Sequence, residues 1–334
     1  MRELVIVIAD LYLPPGDAEA ARAGVAAGTA PGIEYAARFG ERAILTDGWR
    51  AWLARRAGRA DLDGVAPARI AAAMLPDNDA TAWIATPVQL VAGLTSVHLP
   101  ARGILRLAPL ELAGLADGFR RAFDGSGLAL HPLPCGELLL FTAGMPPLAT
   151  LEPARAAVAD LAQSLPQGPQ AAGLRRLGAE IEMWLHGEPV NTARARRGEP
   201  PVTSLWLWGS LGAPGAPQRV APDTGVSASA LTPRAFGSDA WLDGLWRIQG
   251  SACEALPAQL AVDSGAADLR VWVVEAREGL AALDARFVSP ALKALKGGGA
   301  ERVTLIANDI RTSLGPHSGR RFWRRARPRI GCFL

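Results

Sequence analysis

The chain has 334 residues, of which 49% are hydrophobic and 20% charged, and its net charge is only +3. That length exceeds what one hydrophobic core usually organises, so two cores or a core with an insertion are expected, and the apolar content excludes global disorder. Cys135, Cys253 and Cys332 lie far apart and in no Cys-x-x-Cys spacing, so neither a disulfide framework nor a zinc site is suggested, and a reduced cytoplasmic setting fits.

No apolar run approaches the roughly 20 residues that span a bilayer, so neither a membrane segment nor a signal peptide is expected. Lysine occurs only at Lys293 and Lys296. The small positive excess comes largely from the end of the chain, where Arg320, Arg321, Arg324, Arg325, Arg327 and Arg329 crowd together.

In chain order, Leu4 to Ala9 is a continuous β-branched and apolar run, the pattern of a strand buried on both faces, and Asp10 closes it. In an open α/β sheet the carboxyl ends of such strands are where ligands bind. Trp49 to Arg59 and Pro67 to Met74 read as helices. From Ala80 the texture changes: Thr81 to Ala85, Thr95 to Leu99, Leu128 to Leu133 and Glu137 to Thr142 read as strands punctuated by Gly and Pro. Between them, Leu110, Leu112, Leu115, Phe119 and Phe123 recur at near-helical spacing behind Pro109, which suits a first helical turn.

Leu174 to His186 predicts another helix, ended by Gly187 and Pro189, and Val202 to Trp208 a strand stopped by Gly209. Leu269 to Val274 and Val303 to Ala307 are two more buried-type strands. With the helical stretch Leu280 to Lys296 between them they predict a crossover unit of a parallel sheet. Residues 213–238, rich in Gly, Pro and Ala, predict a long loop.

The most informative stretch is Glu180 to Gly212. A helix bearing Glu180 and Glu182 leads into Pro189, Val190 and Asn191, then Arg194, Arg196, Arg197 and Gly198, and then an aromatic strand ending at Gly209. One reading is a helix cap followed by a solvated basic loop. The other is an anion site bordered by Asn191, Arg194, Arg197 and Gly209, because guanidinium groups match phosphate and carboxylate geometry and a glycine after a strand lets backbone N–H groups approach a ligand. Arg194 and Arg197 are three apart and share a face if that turn is helical. A third possibility is that these arginines pair with Glu180, Glu182 or Glu199 and fix the loop.

This stretch resembles the RpfE-type bacterial regulatory proteins, distant relatives of the cofactor-independent phosphoglycerate mutases in the alkaline phosphatase superfamily. The carrying residues are Glu180 to Met183, Leu185-His186, Pro189 to Asn191, Arg194, Arg197-Gly198 and Ser204 to Gly209, with Thr86 to Leu90 and Phe322 to Arg325 adding to the likeness. Members of that family usually carry a second His where Glu188 stands and Asn where Thr203 stands.

The resemblance implies an alkaline-phosphatase-like α/β fold: a three-layer α/β/α core, residues 1–79 plus 173–334, interrupted by a smaller α/β domain at residues 80–172. Active members of the superfamily bind two metal ions through several Asp and His ligands and attack the phosphoryl group with a Ser or Thr hydroxyl. Asp10 matches the first ligand position and Asp309 the Asp of an Asp-His-Gly triplet, whose other places hold Ile310 and Arg311. The segment where a Gly-His is expected reads Glu275 to Leu280 without a His, and Thr46 is the nearest hydroxyl to the nucleophile position. No catalytic residue is therefore assigned; Asp10 and Asp309 are the candidate metal ligands, and of the four His only His317 follows the last core strand. Each also suits a helix cap or turn.

The leading expectation is a pseudoenzyme of this lineage, acting in regulation or ligand sensing through the cleft between core and insertion. It would need no cofactor, and its partners would be an anionic small molecule or a protein. The competing expectation is a metal-dependent phosphomutase or phosphohydrolase with a rearranged site that takes manganese or zinc. A third is nucleic-acid binding through the C-terminal arginines, with Phe322 and Trp323 stacking on bases.

Overall fold

The computed structural model describes residues 2–11, 30–76, 79–93, 96–157, 161–214, 233–262, 268–276 and 279–320. Along the chain run β1 (Glu3–Ile8), α1 (Pro31–Phe39), β2 (Glu41–Ile44), α2 (Gly48–Arg56), α3 (Pro67–Ala72) and β3 (Thr81–Val88). Next come β4 (Val91–Ala92), β5 (Val97–His98), α4 (Pro109–Ala122), β6 (Leu128–Pro132), β7 (Leu138–Thr142), α5 (Ala172–His186), α6 (Pro189–Arg196) and β8 (Ser204–Trp208). The last are β9 (Arg234–Phe236), α7 (Ala240–Ile248), β10 (Leu269–Val274), α8 (Leu280–Leu283), α9 (Ser289–Lys296), β11 (Arg302–Ala307) and β12 (Ile310–Leu314).

These elements form two compact units, one drawn from Met1–Asp63, Asp223–Gly237 and Ala252–Leu334, the other from Gly64–Pro222 and Ser238–Ser251. In the first unit a six-stranded sheet has the order β2-β12-β11-β1-β10-β9. The apolar run read from the sequence is its centre: β1 lies parallel to both β10 and β11, and every residue of it is buried. The connection from β10 to β11 therefore steps over β1, and a π-helical turn, Asp284–Val288, joins α8 to α9 along it.

Both faces of this sheet are covered, as an all-apolar parallel strand requires. Leu4, Ile6, Trp272 and Leu305 meet Ile33 and Ala36 of α1 and Leu292 and Leu295 of α9 on one face. On the other, Arg56 of α2 pairs with the buried carboxylate of Glu3 at 2.6 Å, and the Arg311 guanidinium lies 5.9 Å from the Trp52 ring centre. The first unit is thus a three-layer α/β/α sandwich.

The second unit is built on an antiparallel sheet of order β6-β7-β3-β8. Trp83, Leu138, Leu140, Leu205 and Leu207 face α4 and α5. Alternate residues, including Ile84, Leu139, Trp206 and Trp208, pack with Ala68 and Ala71 of α3 and Ala240 of α7. The α3 and α7 backbones touch, since a Cβ on Gly244 would sit 2.1 Å from the Ile70 carbonyl oxygen. Leu110, counted on the apolar face of α4, is 88% exposed, whereas Leu112, Leu115 and Phe119 are buried.

This arrangement shifts the expected domain boundaries of 80–172. The helix Ala172–His186, the basic segment after it and the strand ending at Trp208 belong to the second unit, because β8 pairs antiparallel with β3, Trp206 opposite Thr86 and Trp208 opposite Ile84. A run buried on both faces identifies a strand covered by two layers but not the sheet it joins. Here an antiparallel sheet has two helical layers.

Candidate functional site

The basic segment expected to bind an anion is a helix, α6, begun by Pro189 and preceded by Glu188. Arg194 and Arg197 converge as their spacing predicts, but the anion they meet is internal. Arg194, with its side chain only 5% exposed, donates from Nη1 to both oxygens of Glu111 at 3.1 Å, and from Nε to the Pro200 carbonyl at 2.7 Å. Arg197 reaches Glu111 at 2.5 Å and Glu199 at 2.8 Å. Hydrogen bonding to Glu199 holds the Arg197 guanidinium more firmly protonated than usual, and the same contact lowers the Glu199 carboxyl below its ordinary value.

Asn191 uses its whole amide on the backbone. Its Nδ2 donates to the carbonyls of Leu185 and Val202, each at 2.8 Å, and its Oδ1 accepts from Val202 N at 2.7 Å. It closes the hairpin from α5 to β8. Gly209 does not join this group, since it lies at the far end of β8, about 20 Å of extended chain beyond Val202. Its positive φ of 74° and the 3.1 Å gap that a Cβ would leave to Pro67 Cβ explain the glycine through the turn toward α3. The residues expected to border an anion site thus have internal partners: Arg194 and Arg197 hold α6 against α4, Asn191 ties α5 to β8, and Gly209 serves another contact. Glu111, the residue that decides this, lies 83 positions from Arg194 and gave no signal in the sequence.

Asp10 and Asp309 do meet at one edge of the first unit's sheet. β1 and β11 are neighbours with Ile8 opposite Ala307, so each Asp stands two residues past its strand at the carboxyl side. Each has a structural role, Asp10 through its carboxylate and Asp309 through its backbone. Asp10 Oδ1 accepts from Ala276 N at 2.6 Å, fastening the end of β1 to the end of β10. Asp309 is the second residue of the two-residue turn between β11 and β12, with φ of 51° at Asn308 and 56° at Asp309. Positive φ at both positions is the signature of a type I′ hairpin, where Asn and Asp are the residues that tolerate it best after Gly. Ile310 and Arg311 are the first residues of β12, paired with Ala307 and Ile306.

A two-metal centre needs several more ligands than the described residues of this edge offer. His98, His131 and His186 belong to the second unit, and His317 is exposed in the turn after β12. Burial lowers the pKa of His131, which favours its neutral form. Among the described residues no group of three or more His, Cys, Asp or Glu side chains is gathered so as to hold a metal ion. The donor set among the described residues does not fit the two-metal chemistry. Thr46 sits exposed in the turn before α2. The segment 321–334 with its arginines and aromatics lies outside the described residues, and none of the described helices is long and apolar enough to cross a membrane.

No family model matches the sequence, and no curated protein matches it. Among solved structures, the chain aligns with a cofactor-independent phosphoglycerate mutase from Thermoplasma acidophilum DSM 1728 at 16% identity and a TM-score of 0.39, covering 94% of this chain and 89% of that one. It also aligns with the PH0037 protein from Pyrococcus horikoshii at 12% identity and a TM-score of 0.44, covering 94% of this chain and 87% of that one. Both likenesses are distant.

Proposed function

We propose that this protein is a phosphoglycerate-mutase-like chain, allied to the RpfE-type regulatory proteins, that no longer carries out two-metal phosphotransfer and acts in regulation or ligand sensing. One observation carries the reading. Of the two residues matching the metal-ligand pattern, Asp10 gives its carboxylate to Ala276 N and Asp309 fills a left-handed position of a hairpin turn through its backbone, and Ile310 stands where a His ligand is needed. An isoleucine side chain has no donor atom for a metal.

The test is incubation of the purified chain with manganese or zinc and p-nitrophenyl phosphate. The expected rate equals the metal-only background and is the same for Asp10→Ala. Metal-dependent turnover that Asp10→Ala abolishes overturns the reading in favour of a working phosphomutase or phosphohydrolase.

A further inference from the structure

The second unit holds a predominantly apolar cleft of about 230 Å³ between α5 and β8. Leu165, Leu174, Leu205 and Trp206 line it, and Gly178 on α5 opens it, for a Cβ built there meets nothing within 4 Å. Two features show that the cleft is more than a packing gap. The Thr150 hydroxyl on its wall is buried and has no hydrogen-bond partner among the described residues. The second feature is the edge of the sheet itself.

Among the described strands β8 ends the sheet and pairs only with β3. Pro87, opposite Leu205, has no N–H and turns its carbonyl away from β8, to Leu105 N at 2.9 Å. Hydrogen bonding alternates from side to side along a strand, so Thr86 and Val88 face β8 while Trp206 and Ser204 face back. Leu205 and Leu207 consequently direct their backbone N–H and C=O groups outward along the cleft. Leu205 is 3% and Leu207 8% exposed, and no backbone hydrogen bond from another described segment reaches either one. Buried backbone groups of this kind are nearly always paired.

The rim is charged with opposite sign at its two ends. α5 presents Arg175 and Glu182 to the cleft, seven residues and so about 10 Å apart along the helix axis. Asn191 bridges Leu185 to Val202, so β8 starts beside the C-terminal end of α5 and runs back along it. Glu182 therefore stands near the start of β8 and Arg175 near its end, with the Arg175 guanidinium oriented by a 2.8 Å hydrogen bond to the Pro166 carbonyl.

We propose that this cleft binds a short extended peptide with free termini and an apolar side chain, lying parallel to β8. About three residues at roughly 3.3 Å each match the spacing of the rim charges. The ligand's amine pairs with Glu182 and its carboxylate with Arg175. Its backbone pairs with Leu205 and Leu207, as in strand addition to a sheet edge. The Thr150 hydroxyl gains a partner. The proposal stands on the second unit alone and does not depend on whether phosphotransfer is lost.

Isothermal titration calorimetry of the full chain with the tripeptide Ala-Leu-Ala, and with its N-acetylated, C-amidated form, tests it. The free tripeptide is expected to bind at least tenfold more tightly than the blocked one. Gly178→Leu puts a side chain into the cleft from a Cβ that meets nothing within 4 Å, and should reduce binding at least tenfold while its melting temperature is unchanged or raised, which separates occlusion from misfolding. Arg175→Gln should weaken the free tripeptide about tenfold and leave the blocked form unaffected. Absence of binding at millimolar tripeptide, equal binding by Gly178→Leu, or equal effects of Arg175→Gln on both peptides overturns the proposal.

Discussion

Arg194 and Glu111 form a forked contact in which one guanidinium nitrogen donates to both carboxylate oxygens at 3.1 Å, joining α6 to the first turn of α4. Glu111 also accepts from Ala108 N at 2.8 Å, so one carboxylate caps a helix and neutralises a buried arginine. Removing one member of a buried pair leaves the other charge uncompensated, which costs about 3–5 kcal/mol. Glu199 Oε2 lies 3.4 Å from Arg194 Nη1 and keeps part of the compensation, so Glu111→Ala should lower the unfolding free energy in urea titrations by less than that full amount. Arg197→Gln, at an exposed position, should leave it nearly unchanged. Phosphate added to the unaltered protein should not perturb this cluster in nuclear magnetic resonance spectra, because its anion is already present.

At the β11–β12 turn, Asp309→Gly separates the structural role from a metal role. Glycine adopts positive φ without the Cβ penalty, so in a type I′ turn the substitution should leave stability unchanged or raise it by up to about 1 kcal/mol. Thermal unfolding at matched pH checks this. A clear loss of stability that appears only when metal is supplied would show that the carboxylate holds an ion.

Much of this architecture was legible because its strands are apolar runs and its longer helices carry periodic apolar faces. Leu4 to Ala9, Leu269 to Val274 and Val303 to Ala307 all became parallel neighbours in one sheet, and Pro109 and Gly187 marked helix ends. α7 was not read, although Asp239, Asp243 and Arg247 recur every four residues along it, because the rest of this short helix is apolar and buried. β12, Ile310–Leu314, carries Thr and Ser with no strong apolar pattern, so the role of Asp309 as a turn residue was open until its partner strand was known. The arginine spacing in α6 was informative about convergence. What the arginines converge on depends on Glu111, brought near by tertiary packing alone.

Burial of Glu137 predicts an unusual pH dependence. This carboxylate, at the start of β7, accepts from Ala240 N at 2.8 Å and pairs with Arg106 at 3.2 Å. Burial raises its pKa above the ordinary 4.5, Arg106 pulls the value down, Asp239 adds to the rise, and Ala240 N opposes it. A raised folded-state value means that the native chain holds the proton more tightly than the unfolded chain does. The associated stability is complete below 4.5 and is lost as pH rises through the folded value. Glu137→Gln should flatten that part of the curve measured by urea unfolding between pH 4 and pH 8, on the order of the usual carboxyl range and above. An unaltered slope would assign the dependence to other groups.

Asp284 closes the N-terminus of α1 from the π-helical turn, accepting from Gly32 N at 3.2 Å and Ile33 N at 2.8 Å. A Cβ at Gly32 would sit 2.5 Å from Asp284 Oδ1 and 2.8 Å from Ser289 Oγ. Gly32→Ala should therefore destabilise the first unit by about 1–3 kcal/mol, the usual cost of overpacking. Calorimetry should show the loss, and a wild-type transition would mean that the turn yields freely.

The central claim, that the carboxyl edge of the first unit's sheet no longer forms a two-metal centre, is tested most directly by elemental analysis of freshly purified protein after equilibration with manganese and zinc. The account predicts substoichiometric metal, equal for the unaltered chain and for Asp10→Ala. Two equivalents of tightly held metal, lost in Asp10→Ala, would contradict it.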